Sequence, residues 1–332
     1  MLVCSVEDIV YLTKRGDLIN SNQSKDKAIY SSPVAIAVLS IICCALWGSA
    51  VPAVRFGFKA LGVSVQEGGS QLLFAGVRFF IAGVFIALYY AISNKDFRLP
   101  TKDEFICICK LSLAQTVGQY FFYYEGLAHA TGVNASIIQG VGVFVAVIMS
   151  CVIYKMEDLT RNKILGCVLG FIGIVATSGA GAADTGFSFW GEGFLLIAAV
   201  FGSQAVIYTR RFSQIMPPVM LSGWQFAVGG IVLSVLGKLK GGSVVFDTPG
   251  KWGILMWLVM VSTVAYVMWS QLLKANDVSK IMIFKFTTPI FGVLLSLLIL
   301  GSEGADLGIH TFVGLVLICL GIICVQRPAK TK

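Results

Sequence analysis

The chain contains apolar stretches of near-membrane-spanning length that fall into two sets of five, and the second set repeats residues of the first. Residues 75–83 read AGVRFFIAG, and 147 positions later residues 222–230 read SGWQFAVGG. At the same offset, Thr116 falls on Thr263. Because five crossings is an odd number, the second copy must enter the bilayer upside down relative to the first. Such inverted repeats are typical of carriers whose two halves rock around a shared central site.

Composition places the chain among membrane proteins. Of its 332 residues, 57% are hydrophobic and 13% are charged, whereas soluble domains are about 25% charged. The mean hydropathy is +0.84. A hydrocarbon core about 30 Å thick needs roughly 20 helical residues. We therefore expect an all-α membrane protein with an N-terminal tail over 1–32 and two five-helix repeats over 33–180 and 190–327. The ten predicted transmembrane helices are 33–54, 72–92, 105–124, 132–153, 163–180, 190–208, 219–237, 252–272, 279–300 and 310–326.

The net charge of +8 reflects membrane topology. With the N-terminus inside, the inner loops collect most of the Lys and Arg, and the outer side keeps only Arg55, Lys59, Lys238, Lys240 and Lys251. By the positive-inside rule both termini are expected in the cytoplasm, and no nucleic-acid partner is implied. The compact ten-span form, with no organelle-targeting leader, favours a bacterial inner membrane.

The sequence carries none of the motifs that a membrane enzyme would need. The patterns HExxH, GxSxG, DxD and GxxxxGK[ST] are absent from it. Neither His129 nor His310 has a carboxylate placed beside it by spacing. Most of the nine cysteines lie inside apolar spans, where they behave as small hydrophobes, and their spacing matches no zinc or redox motif. We expect no enzymatic activity, no metal and no cofactor.

Polar side chains recur at helical spacing in the third, fourth, eighth and ninth spans, and these stripes should face the interior of the bundle. Paired spans with paired polar faces indicate one cavity shared by the two halves. The alternative is interhelical hydrogen bonding without a substrate, each bond contributing about 0.6–2 kcal/mol. The candidate substrate-binding residues are Trp47, Arg78, Gln115, Gln119, Tyr123, Gln139, Tyr266, Trp269 and Lys285.

Two of these candidates are cations within predicted spans, Arg78 and Lys285, and no Asp or Glu lies deep in any predicted span. An unpaired cation in the membrane is costly, so each needs carbonyls, water or an anionic guest. Arg78 has a neutral repeat counterpart, Gln225, and could instead snorkel or hold a helix end. Pro52 and Pro289 predict local breaks in the first and ninth spans.

The order of these short motifs resembles the EamA-type branch of the drug/metabolite transporter superfamily over residues 33–327. The matching residues are Trp47-Gly48-Ser49, Pro52, Arg78-Phe79, the run 126–130, Glu157-Asp158-Leu159, Gly166, Thr288-Pro289-Ile290-Phe291, Glu303, Gly314 and Gly321. The resemblance implies ten helices in two inverted five-helix repeats, with alternating access around a central cavity. It also implies small cargoes such as amino acids, other metabolites, purine-like compounds, sugars and drugs, with many members exporting them.

The leading functional hypothesis is a permease for a small polar metabolite, with amino acids as the favoured class and export as the favoured direction. A carboxylate on the substrate would meet Lys285, while aromatic rings would hold an apolar side chain. The alternative is an exporter of drugs or of other metabolites, such as sugars or purine-like compounds. A drug antiporter would need a buried acid, which the spans lack. The expected partners are a small-molecule substrate and the lipid bilayer; a coupling ion and an oligomer are left open.

Overall fold

The computed structural model describes residues 29–64, 66–94, 98–130, 132–178, 187–300 and 309–327. Within these ranges every regular element is helical, so the prediction of an all-helical protein is confirmed. Residues 1–28 of the predicted tail and Glu303 lie outside the described residues.

The helices are numbered here as continuous segments, including any π- or 3₁₀-helical turns. They are α1 (Pro33–Leu61), α2 (Gly68–Asn94), α3 (Lys102–Leu127, π-helical over Leu113–Gly118), α4 (Gly132–Ile148, continued by π-helical turns over Met149–Ile153), α5 (Arg161–Ser178), α6 (Phe189–Phe212, π-helical over Phe189–Gly193), α7 (Pro218–Leu239), α8 (Pro249–Ala275), α9 (Val278–Met282, 3₁₀-helical turns over Ile283–Thr287, then Thr288–Leu300) and α10 (Ile309–Gln326).

Six of these segments are long and apolar enough to cross a membrane, namely α1, α2, α3, α6, α7 and α8. Shorter apolar stretches over Ile137–Ile153 and Phe312–Gln326 accompany them. A multi-pass membrane protein is therefore supported, and the number of ten crossings stays a prediction.

Helix α1 runs through Pro52, where the sequence predicted a break. It begins at Pro33, where the side chain of Ser32 accepts the backbone N–H of Ala35 at 3.1 Å. It ends at Leu61 and is followed by the capping residue Gly62, which has a φ of 69°. The α-helix passes Pro52 without interruption and extends beyond the predicted end at 54, so the expected break is wrong. A proline removes only one N–H, and neighbouring helices in a bundle can support the helix around it.

Helix α9 does change its winding next to its proline, as the sequence predicted. It tightens to 3₁₀-helical turns over Ile283–Thr287 and resumes as an α-helix at Thr288, the residue before Pro289. Proline is tolerated at this point because the first turn of a helix leaves its N–H groups without intrahelical acceptors. The 3₁₀-helical segment carries Lys285.

Helices α2 and α7, which are repeat equivalents, pack backbone to backbone through glycines. A Cβ added to Gly83 would lie 2.7 Å from the carbonyl oxygen of Gly223, and one added to Gly230 would lie 2.7 Å from that of Gly76. Only glycine permits this approach, which brings apolar helices together in lipid by close van der Waals contact.

Helices α5 and α10, also repeat equivalents, pack in the same manner. A Cβ on Gly173 would lie 2.8 Å from the carbonyl oxygen of Gly314, and one on Gly321 would lie 2.7 Å from that of Gly166. Two equivalent pairs thus meet at glycine contacts, as expected where two related halves face each other.

The bundle has two ends, which we distinguish by the connections that lie there. The basal end holds residues 29–32, 98–101, 154–160, 213–217 and 276–277, where Asn276 donates to the carbonyl of Tyr30 at 2.9 Å. The distal end holds residues 62–64, 128–130, 187–188 and 240–248. There Lys240 and Glu125 form an ion pair of 2.5 Å between the two halves.

Candidate functional site

A small cavity lies between α1, α3, α6, α7, α8 and α9, and both halves of the chain contribute to its wall. Its volume is about 30 Å³, which is room for about two water molecules. Any metabolite therefore requires the walls to move apart. The lining residues are Trp47, Gln115, Gln119, Gly202, Ala205, Val206, Thr209, Ser222, Tyr266, Trp269, Ser270, Leu273 and Lys285.

The structure brings together six of the nine candidate residues predicted from sequence. Trp47, Gln115, Gln119, Tyr266, Trp269 and Lys285 all line this cavity. The remaining three, Arg78, Tyr123 and Gln139, are not among its lining residues.

Lys285 lies between two tryptophan rings at the cavity. Its Nζ is 5.1 Å from the ring centroid of Trp47 and 6.0 Å from that of Trp269. The two indoles meet edge to face, with centroids 4.9 Å apart. Cation–π contacts contribute about 0.5–2 kcal/mol each, less than the several kcal/mol needed to bury an ion. None of the ion pairs found among the described residues includes Lys285, so its charge lacks a carboxylate partner there.

The indole N–H of Trp47 is a second donor without an acceptor. Its Nε1 is buried and has no hydrogen-bond partner within the described part of the chain. A buried donor left unpaired costs about 1–3 kcal/mol. Lys285 and Trp47 both line the cavity, and within the described residues neither the ammonium nor the indole N–H has an acceptor. Such donors suit an oxygen anion.

The local winding of α9 determines where Lys285 lies. Within the 3₁₀-helical segment, the carbonyl oxygen of Phe284 accepts the thiol of Cys44 at 3.2 Å and the hydroxyl of Thr287 at 2.8 Å. The thiol contact ties this turn to α1, the helix that carries Trp47.

Amide side chains from α3 form the polar part of the wall. Gln115 lies in the π-helical segment over Leu113–Gly118, and Gln119 follows it. Such π-helical turns are frequent at functional sites. A Cβ on Gly202 would lie 3.1 Å from the Gln119 side chain, so this glycine makes room for the amide.

Sequence reasoning missed several lining residues, namely Gly202, Ala205, Val206, Thr209, Ser222 and Leu273. One signal was available, because Gly202-Ser203 matches Gly48-Ser49 between the repeats. Ser222 pairs with Ser270 at 3.3 Å, which joins α7 to α8 at the cavity wall.

Tyr266 connects the cavity to a second aromatic region. Its hydroxyl lies 3.0 Å from that of Tyr120, and its ring meets Trp47 edge to face with centroids 5.2 Å apart. Beyond Tyr120 lies Arg78, whose guanidinium carbon is 5.7 Å from the Tyr120 ring centroid and 4.3 Å from that of Phe79.

Arg78 is 4% exposed and lies on α2, facing packed side chains. Within the described residues its Nε has no hydrogen-bond partner and its guanidinium belongs to no ion pair. Its repeat counterpart Gln225 accepts a hydrogen bond from Thr116 at 2.7 Å. The equivalent threonine, Thr263, has a buried hydroxyl that is unpaired within the described ranges.

Tyr123 and Gln139 pair with each other at a distance of 3.2 Å between the Gln139 amide and the Tyr123 hydroxyl. This bond joins α3 to α4 within the first half. It is the interhelical hydrogen bonding that the sequence left open as an alternative for its polar stripes.

Comparison with known proteins gives a match to one family over both halves of the chain. A model described as the EamA-like transporter family matches residues 34–179 and again residues 189–327. The two matched stretches correspond to the helices α1–α5 and α6–α10, which together enclose the cavity.

Individual relatives agree with this match. A protein of Archaeoglobus fulgidus described as an uncharacterized transporter is 30% identical over 203 residues, covering 61% of this chain and 56% of that protein. Another uncharacterized transporter, from Bacillus subtilis, is 22% identical over 216 residues, covering 60% of this chain and 66% of that protein. The matches thus span less than two thirds of either relative.

One solved crystal structure has a similar fold. It superposes with a TM-score of 0.71 at 20% identity, covering 89% of this chain and 97% of that one. At this identity the likeness supports the fold alone.

Proposed function

The chain belongs to the EamA-like transporter family of membrane proteins, and we propose that it carries a small polar metabolite across the membrane by alternating access. The proposed substrate class is the amino acids and related compounds. The proposed architecture is ten transmembrane helices arranged as two inverted five-helix repeats.

The inverted arrangement is supported by the way in which equivalent helices meet. The pairs α2–α7 and α5–α10 each pack through glycines that recur in both halves. Since the cavity receives side chains from both halves, relative motion of the halves would widen or close it. At about 30 Å³ the cavity has the volume expected of a contracted state.

The observation that supports the substrate class is a pair of donors on cavity-lining residues, neither of which has an acceptor within the described part of the chain. The ammonium of Lys285 and the indole N–H of Trp47 suit a carboxylate. The rings of Trp47, Trp269 and Tyr266 offer an apolar surface to a side chain. The carbonyl oxygens of Gln115 and Gln119 provide acceptors for an ammonium.

Charge also weighs against cationic drugs as cargo. The lining residues described for this cavity include one cation, Lys285, and no Asp or Glu. A second cation inside this wall would face repulsion in a medium of low dielectric constant. We therefore favour a metabolite with a carboxylate.

The distribution of basic residues between the two ends bears on the orientation of the protein in the membrane. The basal end carries Arg210, Arg211, Lys274 and Lys280 near the helix ends. Under the positive-inside rule these residues support the proposal that the basal end faces the cytoplasm. Both termini are then cytoplasmic, the membrane is a bacterial inner membrane, and export is the proposed direction.

Counterflow in proteoliposomes tests the substrate class. Vesicles loaded with unlabelled amino acids should accumulate external radiolabelled phenylalanine, leucine or threonine faster than protein-free vesicles. Labelled sugars and purines serve as parallel arms. Accumulation of a sugar or purine without any amino acid would replace the proposed substrate class with one of the alternatives.

A further inference from the structure

The carboxylate of Glu157 connects the two halves at the basal end. It lies in the connection between α4 and α5 and is nearly enclosed, its side chain being 4% exposed. Its oxygens accept the backbone N–H of Ser279 at 3.1 Å and the hydroxyl of Ser279 at 2.5 Å. Ser279 belongs to the second half, in the first turn of α9.

Within its own half, Glu157 is held by two further donors. The hydroxyl of Ser150 donates to it at 2.5 Å, and Lys163 forms an ion pair with it at 2.8 Å. Burial alone raises the pKa of Glu157, but hydrogen bonds from Lys163, Ser150 and Ser279 outweigh that effect and hold the pKa below its ordinary range. The group therefore stays charged at neutral pH.

The contact with Ser279 caps α9 from outside its own half. The first turn of a helix has unpaired N–H groups and a partial positive charge, which a carboxylate stabilises. The side chain of Asp277, the residue before the helix, makes no capping hydrogen bond to this turn. Lys285 follows Ser279 by six residues, a rise of about 10 Å, since the 3₁₀-helical turns from Ile283 rise about 2.0 Å per residue and the α-helical part about 1.5 Å. The first half thus holds the N-terminal end of α9, the helix that carries Lys285.

Part of the cavity wall comes from residues near the basal end of the bundle. Thr209, Leu273 and Ser270 lie near the basal ends of α6 and α8, so the cavity reaches toward this end. Near Glu157 in the same connection, the hydroxyl of Tyr154 donates to Gln204 of the second half at 2.9 Å.

We propose that Glu157 is the basal latch of the transporter: its bonds to Ser279 close the basal side of the cavity, and the cavity opens to that side when they break. This inference rests on the proposed alternating access. Lys163 and Ser150 hold the carboxylate in place within the first half, so Glu157 and Ser279 separate at the boundary between halves.

Two serines provide a matched test, because each donates a hydroxyl hydrogen bond of the same length to the same carboxylate. Ser279→Ala removes the hydroxyl bond that crosses the halves and keeps the backbone N–H bond of that residue. Ser150→Ala removes the hydroxyl bond within the first half and keeps the ion pair with Lys163. Hydrogen–deuterium exchange of the full chain in lipid nanodiscs measures the result without any labelling residue.

We expect Ser279→Ala to speed exchange over residues 278–287 roughly tenfold, as for loss of one hydrogen bond to a charged group. Exchange should also rise over 205–209 and 270–273, which line the cavity and would gain access to water. Ser150→Ala should leave both cavity segments at the wild-type rate. Glu157→Gln, which preserves side-chain volume, should raise exchange in the same segments if Ser279→Ala does not fold.

Equal changes in the two serine variants, or a rise confined to 278–283, would overturn the latch and leave Glu157 as a structural helix cap. Unchanged exchange in both Ser279→Ala and Glu157→Gln would overturn it as well. The exchange measurement needs no substrate, so a failure of amino-acid counterflow leaves this test intact.

Discussion

Two regions of the molecule each bury a cation without a carboxylate partner in the described residues, and they differ in almost every other respect. Lys285 lies in the cavity wall, between two indoles and beside an unpaired N–H group. Arg78 lies on α2, the helix that packs on α7 through backbone contacts at Gly83 and Gly230. The first region surrounds an open space, and Arg78 is enclosed by packed rings.

The difference shows that a buried charge marks a binding site only when there is room for a counter-charge. A guest can reach Lys285 once the walls separate. Arg78 lies against the faces of Phe79 and Tyr120, beside two helices joined by glycine contacts. The Tyr120–Tyr266 hydroxyl pair lies between Arg78 and the cavity. We therefore propose that Lys285 contacts the substrate and that Arg78 has a packing role.

The largest effect should come from Lys285→Met, which keeps side-chain length and removes the charge. Loss of one partner from a desolvated charge pair costs about 2–5 kcal/mol, so amino-acid counterflow should fall by about 100-fold or more. Counterflow at the wild-type rate would contradict the role of Lys285. Thermal unfolding of the variant serves as the control for folding.

In the region of Arg78, where α2 packs on α7, Gly230→Ala should cause the largest loss of stability. The added Cβ would lie 2.7 Å from the carbonyl oxygen of Gly76 and would push α2 away from α7. Overpacking of this kind costs about 1–3 kcal/mol of stability. The matched control is Gly253→Ala on α8, where nothing lies within 4 Å of an added Cβ. Equal melting temperatures for the two variants would show that the interface is not tightly packed.

The two tryptophans beside Lys285 should contribute differently to substrate affinity. Trp47→Phe removes the unpaired N–H donor together with the indole, whereas Trp269→Phe replaces only the more distant ring. We expect Trp47→Phe to weaken substrate affinity by roughly tenfold, as for one hydrogen bond to a charged group. Trp269→Phe should have a smaller effect, since a single cation–π contact contributes about 0.5–2 kcal/mol. A larger loss in Trp269→Phe would remove the N–H of Trp47 from the substrate contacts.

The smallest effect on transport should come from Arg78→Gln, which gives α2 the residue that α7 has at Gln225. This change loses the ring contacts of Arg78 and its hydrogen bond to Tyr120. It leaves every cavity-lining residue in place, so counterflow should stay within about threefold of wild type. A loss as large as that of Lys285→Met would place Arg78 in the substrate pathway and remove the distinction between the two regions.

Much of this comparison could be predicted from the sequence, because it depends on local patterns. Hydropathy and the 147-residue repeat predicted an all-helical membrane protein, and the residue types identified both cations. The glycines of the repeated segments 75–83 and 222–230 are visible in the sequence, and the structure shows close backbone packing at Gly83 and Gly230.

The separation of Arg78 from the cavity could not be predicted. Helices that are apolar on every side have no periodicity to indicate which face meets a cavity. The 3₁₀-helical turns that carry Lys285 are tied to α1 by the thiol of Cys44, a contact between residues 240 positions apart. The continuity of α1 past Pro52 also depends on tertiary support, so propensity alone predicted a break.

Ligand-dependent thermal stabilisation of the purified protein tests most directly whether Lys285 binds a substrate carboxylate. Ligands that bind the folded state raise its unfolding temperature. We predict that phenylalanine and leucine stabilise the wild type, that their carboxamides do not, and that Lys285→Met abolishes the difference. Equal stabilisation by the amino acids and their carboxamides, or an undiminished effect in Lys285→Met, would contradict this account.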